Sequence, residues 1–174
     1  MIVILNGAFG VGKTTTARRL VAALPNAMIY DPEIIGFFIK RLNRALPMRG
    51  DGTGDYQDIV RWRTLTVASA RWLRRCSSRT LIVPMTLAWP AYFQEIVAGL
   101  QQIDPDVHHF CLTASLPTIY QRLLDRGDAP GGWTFQQTLR CVESLQTDQY
   151  ALHIDTEQHD VEQVVELILR RLGR

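Results

Sequence analysis

Residues 4–14 read ILNGAFGVGKT, and Gly7–Thr14 match the phosphate-loop pattern GxxxxGK[ST] in full. An apolar run predicted as a strand ends at Asn6 and a helical pattern begins near Lys13, which is the context that this motif requires. Glycines let successive backbone N–H groups face one anion at the positive end of a helix. A glycine-rich turn could match the pattern by chance, but its position directly after the first strand argues against this. The motif therefore predicts a nucleotide site.

Two side chains of the motif have predicted chemical roles. Lys13 is expected to reach the β- and γ-phosphates of ATP, and the Thr14 hydroxyl is expected to ligate Mg²⁺. The predicted nucleotide-binding residues of the loop are Gly7, Ala8, Phe9, Gly10, Val11, Gly12, Lys13, Thr14 and Thr15.

Composition places the chain among ordinary globular proteins. It has 174 residues, 47% hydrophobic and 21% charged, which excludes disordered and fibrous classes and suits one domain spanning residues 1–174. The net charge of +2 is too small to indicate a nucleic-acid partner, and we predict none. The charge is unevenly distributed, because residues 1–80 carry a net +8 and residues 81–174 a net −6. A basic half that contains the phosphate loop is consistent with an anionic cosubstrate.

The sequence also favours a compartment. Cys76, Cys111 and Cys141 are widely spaced and show no metal-ligand pattern, which fits a reducing cytosol. The start MIVILNG lacks the basic region and cleavage site of a signal peptide, and no run approaches the ~18 apolar residues of a spanning helix. We expect a cytoplasmic protein without a transmembrane segment. A peripheral membrane contact and the oligomeric state stay open.

Alternation of strand and helix patterns predicts an α/β fold with a five-stranded parallel sheet flanked by helices. The predicted strands are Ile2–Asn6, Ala27–Tyr30, Thr80–Pro84, Val107–Thr113 and Ala151–Ile154. The predicted helices are Lys13–Leu24, Pro32–Leu46, Tyr56–Ser77, Pro90–Gln102, Leu116–Arg126, Thr134–Gln149 and Val161–Leu172.

The chain lacks the signatures of other phosphate-loop classes. The GTPase motif NKxD is absent, and the strand Thr80–Pro84 is followed by Met85-Thr86 without the acidic Mg²⁺ anchor of motor-type ATPases. A glycine-rich stretch, RGDAPGG at 126–132, predicts a small lid over about 126–134. These features indicate a small-molecule kinase, in which catalysis is positioning plus charge neutralisation.

Asp31 is the candidate catalytic base. It follows the second predicted strand, so it should lie at the carboxyl edge of the sheet near the phosphate loop. A carboxylate there could accept the proton of an attacking hydroxyl or hold a Mg²⁺-bound water. Asp31 before Pro32 is also a good helix N-cap, with Glu33 on the helix dipole, and the two roles can coexist.

Two arginines and one turn complete the predicted nucleotide site. Arg122 and Arg126 lie one helical turn apart before the glycine-rich stretch, so a closing lid could bring both onto phosphate. Arg126 is nearer the lid and is the better catalytic candidate, although a solvated pair near acidic neighbours is the alternative. Asp155 and Thr156 follow the last strand and are predicted to border the adenine, or to be plain turn residues.

The acceptor pocket is predicted over the same edge of the sheet. Phe37, Arg63, Thr86 and Tyr92, together with Asp31, are the predicted substrate-binding residues. Buried aromatic side chains are more often core than site, so this prediction competes with plain packing.

With these residues in hand, the chain resembles the tunicamycin resistance proteins, the TmrB-like family. The matching blocks are ILNGAFGVGKT (4–14), YDPE with Gly-Phe (30–37), WR (62–63), LIVPMT with Pro-x-Tyr-Phe (81–93), VHHF (107–110) and RCVE (140–143). The resemblance implies an adenylate-kinase-like or shikimate-kinase-like fold, ATP binding, and recognition of tunicamycin, a nucleoside antibiotic carrying sugars and a fatty acyl chain. It carries over Gly7, Gly12, Lys13 and Thr14 as the nucleotide site and points to Asp31, Arg63 and Thr86.

Three functions follow as hypotheses. The first is an ATP- and Mg²⁺-dependent phosphotransferase acting on a hydroxyl of tunicamycin or a related nucleoside-sugar. The second is an ATP-dependent protein that sequesters the drug without catalysis, which the missing acid after the third strand favours. The third is a nucleotide or metabolite kinase.

Overall fold

The computed structural model describes residues 1–45, 56–150 and 152–174. A second glycine-rich stretch of the sequence, RGDGTGD at 49–55, lies outside these residues. The described strands are β1 (Ile2–Gly7), β2 (Ala27–Ile29), β3 (Thr80–Pro84), β4 (Val107–Thr113) and β5 (His153–Asp155). The described helices are α1 (Lys13–Ala23), α2 (Pro32–Ala45), α3 (Val60–Cys76), α4 (Pro90–Gln101), α5 (Leu116–Asp125), α6 (Trp133–Leu145) and α7 (Val161–Arg171). Within the described ranges, no helix combines the length and apolar character needed to cross a membrane.

The five strands form one parallel sheet in the order β2-β3-β1-β4-β5. The chain winds from the central strand β1 to one edge and then crosses to the other side, which opens a crevice at the carboxyl ends of the strands. The predicted α/β fold, with a parallel sheet flanked by helices, is confirmed.

Alternate residues of β1 serve two separate apolar layers. Ile2 and Ile4 pack on one face, in a cluster that includes Trp62 of α3 and Ile96 of α4. Val3 and Leu5 pack on the opposite face, with the side chains of α1 and α7. Side chains of a strand alternate between faces, so an unbroken apolar run is what a strand covered on both sides requires.

Three predicted elements differ from the structure by more than one residue at an end. The predicted helix 56–77 is split into a 3-10 turn at Tyr56–Asp58 and α3, and the predicted helix 134–149 ends at Leu145, followed by a 3-10 turn at Asp148–Tyr150. The last strand begins at His153 rather than at 151, because Leu152 has a φ of 63° and cannot continue an extended strand.

Asn6 joins the phosphate loop to the segment after β3. Its side chain is fully buried, and its Oδ1 accepts from the N–H groups of Gly7 and Leu87, each at 2.8 Å. Its Nδ2 donates to the carbonyl oxygen of Leu87 at 3.1 Å. One amide therefore satisfies three backbone groups in the interior.

Replacing Asn6 with Ala is expected to destabilise the fold by about 2–4 kcal/mol, because three buried backbone groups lose their partner. The free energy of unfolding is measured by urea titration. Gln101→Ala is the matched control, since that amide is exposed at the end of α4 and its loss should change stability by less than ~0.5 kcal/mol. Equal stability of the two variants would contradict the bridging role of Asn6.

Candidate functional site

The phosphate loop is the turn between β1 and α1. Gly7 has a φ of 151°, and a Cβ there would lie 2.7 Å from the carbonyl oxygen of Leu112, so the position excludes a side chain. Gly10 and Gly12 also have positive φ values, of 77° and 105°. Gly12 begins α1 without a side-chain cap among the described residues. The first N–H groups of α1 therefore face the crevice with the positive end of the helix dipole.

A cavity of about 440 Å³ lies in front of this loop. Its walls come from the phosphate loop, α1, the start of α2, the end of β3 and the end of α5, and its lining residues are Phe9, Gly10, Gly12, Lys13, Thr14, Thr15, Arg18, Asp31, Glu33, Pro84, Arg122 and Arg126. We call it the phosphate cavity. The structure thus brings the predicted residues Lys13, Asp31 and Arg126 to one space.

Three predicted loop residues support the phosphate cavity from behind. The side chains of Ala8 and Val11 are 3% and 1% exposed and pack into the interior. Gly7 is buried at the end of β1. These residues shape the turn, and any contact with phosphate falls to their backbone.

The ammonium of Lys13 lies at the centre of the loop. Its Nζ donates to the carbonyl oxygens of Gly7 and Ala8, each at 2.8 Å, and lies 5.7 Å from the centre of the Phe9 ring. Burial lowers the pKa of Lys13, and the nearby carboxylate of Glu33 opposes this shift. The charge is thus held at the floor of the phosphate cavity, where an anion would meet it.

Asp31 combines a structural and a cavity-facing position. Its Oδ1 accepts from the N–H of Glu33 at 2.9 Å, which caps the first turn of α2. Burial raises the pKa of Asp31, while the bond from Glu33 and the charge of Lys13 act in the opposite direction. The predicted cap is confirmed, and the same carboxyl group lines the phosphate cavity.

The two predicted arginines reach the phosphate cavity from α5 and its end. Arg122 donates from Nη1 to the hydroxyl of Thr156 at 2.9 Å and from Nη2 to its carbonyl oxygen at 2.7 Å. Arg126 pairs through Nε with Asp128 at 2.6 Å, which is the acidic neighbour that the sequence suggested. Arg122 is thus held by Thr156 in the turn that follows β5, whereas Arg126 is held by Asp128 of the predicted lid.

A second cavity, of about 370 Å³, lies on the other side of the phosphate loop. Arg122 and Thr156 line it together with His159, Asp160 and Val161 at the start of α7. Asp155 does not line it, since its carboxylate accepts from the N–H of Glu157 and borders other grooves. Of the two residues predicted at the adenine, the structure brings only Thr156 to this space.

Of the predicted acceptor residues, Asp31 lines the phosphate cavity, whereas Arg63, Thr86 and Tyr92 do not. Arg63 is 8% exposed and bonded through Nε to Glu95 at 2.6 Å, with its guanidinium 4.2 Å from the ring of Tyr92. Thr86 is 2% exposed, and its hydroxyl has no partner among the described residues. Phe37 lies in α2, and its side chain is outside the described ones. Their contact with a substrate stays a prediction.

Arg18, Glu33 and His159 are among the cavity residues that were not predicted. Arg18 lies on α1 four residues after Thr14, a spacing that places it on the same helix face and could have found it. Glu33 follows Asp31 by two residues and was interpreted only as a helix-dipole residue. His159 lines the second cavity, and no motif marks it.

The oxygen donors at the phosphate cavity fit Mg²⁺. Thr14, Asp31 and Glu33 line the cavity with a hydroxyl and two carboxylates, and hard oxygen ligands are what Mg²⁺ prefers. Four cationic side chains face these two carboxylates, which leaves a positive excess suited to a polyphosphate.

The fold and the site define a nucleotide-binding protein with a kinase-like P-loop fold. The chain belongs to the AAA domain family, whose model matches residues 2–147.

Solved structures extend this assignment. The chain is similar to the tunicamycin resistance protein of Deinococcus radiodurans, at 28% identity and a TM-score of 0.77, over 99% of this chain and 95% of that chain. The resemblance to that family is thereby confirmed. A gluconokinase from Sinorhizobium meliloti 1021 (15% identity, TM-score 0.68, 99% and 91% covered) and a shikimate kinase from Bacteroides thetaiotaomicron (14%, 0.60, 100% and 99%) share the fold. No curated protein sequence matches the chain.

Lys13→Ala is expected to weaken binding of a non-hydrolysable ATP analogue about 10- to 100-fold, because a charge-assisted contact to phosphate is lost. Isothermal titration calorimetry measures the dissociation constant. Arg19→Ala is the control on the same helix, since Arg19 is exposed and pairs with Glu162 at 3.2 Å. An unchanged affinity in Lys13→Ala would show that phosphate binds elsewhere.

Proposed function

We propose that the protein is an ATP-dependent phosphotransferase acting on a hydroxyl of tunicamycin or a related nucleoside-sugar. The observation that carries the proposal is the position of Asp31, whose carboxyl group lines the same cavity as Lys13 and Arg126. The similarity to a tunicamycin resistance protein supports the choice of acceptor.

The proposed reaction is a direct transfer. The acceptor oxygen forms a bond to the γ-phosphorus, the bond from that phosphorus to the β,γ-bridging oxygen breaks, and the products are ADP and a phosphate monoester. Asp31 takes the proton of the attacking hydroxyl. Lys13 and Arg126 bind the phosphate oxygens and stabilise the charge of the transition state.

Thr14 would hold Mg²⁺, and the metal would supply charge neutralisation on the β- and γ-phosphates. β3 ends at Pro84, which lines the phosphate cavity, and the carboxylates that line it in the described part of the chain are those of Asp31 and Glu33 at the start of α2.

The second candidate function is sequestration of the drug without transfer. It is favoured by the same feature of β3, because Pro84 and the buried Met85 and Thr86 provide no acidic anchor. The third candidate function is that of a nucleotide or metabolite kinase. It is favoured by the fold that this chain shares with the gluconokinase and the shikimate kinase.

The deciding experiment incubates the protein with Mg-ATP and tunicamycin and follows the mass of the drug and the release of ADP. The expected result is the gain of one phosphoryl group by the drug and an equal amount of ADP. Lys13→Ala is the inactive control. Drug binding without a mass gain would favour sequestration, and faster turnover of a nucleoside monophosphate or sugar acid than of drug would favour the third function.

Asp31→Asn is expected to lower kcat about 10²- to 10⁴-fold while ATP affinity and stability are kept. Asn retains the oxygen that caps α2 and removes only the charge. Asp148→Asn is the control, because Asp148 is exposed and does not line the phosphate cavity. Loss of folding in Asp31→Asn would assign this carboxylate a structural role instead, and an unchanged kcat would show that it is not the base.

The pH profile tests the same assignment independently. Burial raises the pKa of Asp31, and a base works only when ionised, so kcat/KM should fall on acidification at a pH above the usual carboxyl range. Activity is complete above that pKa and lost as the pH drops through it. The residual activity of Asp31→Asn should lack this limb. A limb that persists in the variant would place the titrating group elsewhere.

A further inference from the structure

The second cavity is placed to receive the nucleoside part of a bound nucleotide. Four residues line both this cavity and the phosphate cavity: Gly10, Gly12, Thr15 and Arg122. A nucleotide whose terminal phosphate lies at Lys13 can therefore extend past the loop into this space of about 370 Å³, a size typical of small-molecule pockets. Val161 and Val164 of α7 give one part of the wall an apolar surface suited to a planar base.

Three polar side chains of the second cavity are engaged in bonds within the chain. The Thr156 hydroxyl donates to the carbonyl oxygen of Thr113 at 3.1 Å and accepts from Arg122 at 2.9 Å. The Oδ1 of Asp160 accepts from the N–H of Gln163 at 2.8 Å and so caps α7. These bonds hold the side chains of Thr156, Arg122 and Asp160 in the frame of the cavity.

His159 differs, because one ring nitrogen is fixed and the other is open to a ligand. Its Nδ1 donates to the carbonyl oxygen of Asp155 at 2.9 Å. A carbonyl oxygen can only accept, so Nδ1 carries the proton of the neutral ring, and Nε2 keeps a lone pair and acts only as an acceptor. Nε2 has no hydrogen-bond partner in the described part of the chain.

The bond to Asp155 also sets the direction of Nε2. The two ring nitrogens of a histidine point in nearly opposite directions, and Asp155 is the last residue of β5, so Nε2 is turned away from β5. His159 borders a groove along β5 and also the second cavity, and no residue of β5 is among the described residues that line the second cavity. The accepting nitrogen is therefore on the side of the second cavity.

We propose that His159 selects nucleotides whose base carries an amino group, as adenine does at C6, over those with an oxo group at the same position. Nε2 accepts one N–H of the amino group. An oxo group brings two acceptors together and leaves both without a partner. The inference rests on the nucleotide site of the proposed function but not on transfer to an acceptor, because it concerns a ratio of binding constants measured with no acceptor present.

The test compares Mg-ADP with Mg-IDP, whose bases carry an amino and an oxo group at C6. Isothermal titration calorimetry at about pH 8 keeps the imidazole neutral. The unmodified chain should bind ADP about 10- to 100-fold more tightly than IDP. His159→Phe keeps a ring and removes the acceptor, so it should weaken ADP binding about 3- to 10-fold and bring the two affinities within about threefold. His159→Ala should lose the selectivity in the same way without the bulk of a ring.

Two controls separate His159 from its surroundings. His108→Phe removes a histidine of β4 that pairs with Asp106 at 2.7 Å and lines neither cavity, and Asp160→Asn keeps an oxygen that caps α7 while removing its charge. Both should keep the ratio of the unmodified chain. Three results would overturn the proposal: equal affinity of the unmodified chain for ADP and IDP, an unchanged ratio in the His159 variants, or a ratio lost in Asp160→Asn alone, which would assign the selection to that carboxylate.

Discussion

The close approach of Gly7 to the carbonyl oxygen of Leu112 is the constraint on which the site depends. Because Gly7 has no side chain, its backbone can lie against that of Leu112, and β1 stays paired with β4 through Gly7, its last residue. The turn then runs through Gly10 and Gly12 to the start of α1, which has no side-chain cap among the described residues. Asn6 joins the same turn to Leu87, which follows β3. These contacts hold β1, β3 and β4 together beneath the phosphate loop. The residues that follow the strands therefore lie at the edge of this loop.

The fold could be predicted almost entirely from the sequence, because apolar runs and helical periodicity alternate without interruption. Departures occur where a local conformation overrides the pattern. Leu152 adopts a left-handed conformation that its residue type rarely takes, so the strand prediction 151–154 started too early. The 3-10 turns at Tyr56–Asp58 and Asp148–Tyr150 were likewise read as parts of long helices, since their side-chain pattern continues that of the helix.

The site could be predicted where a motif or a strand end fixes a residue's place. The phosphate loop and Asp31 reach the phosphate cavity for that reason. Residues that depend on tertiary partners could not be placed, and Arg63 is the clearest example, because it bonds to Glu95 of α4, 32 residues further along the chain. The uneven charge of the two halves of the sequence located only part of the site. Arg122 and Arg126 come from the acidic half, yet they line the phosphate cavity together with Lys13 and Arg18.

Lys13, Asp31 and Arg126 share one cavity, and we propose that phosphoryl transfer takes place there. The most direct measurement is a crystal structure with a non-hydrolysable ATP analogue, Mg²⁺ and tunicamycin. We expect the γ-phosphate at Lys13 and one drug hydroxyl in line with it, within hydrogen-bond reach of the Asp31 carboxylate. A drug bound with its hydroxyls remote from the γ-phosphate, or a carboxylate other than Asp31 at the attacking oxygen, would contradict it.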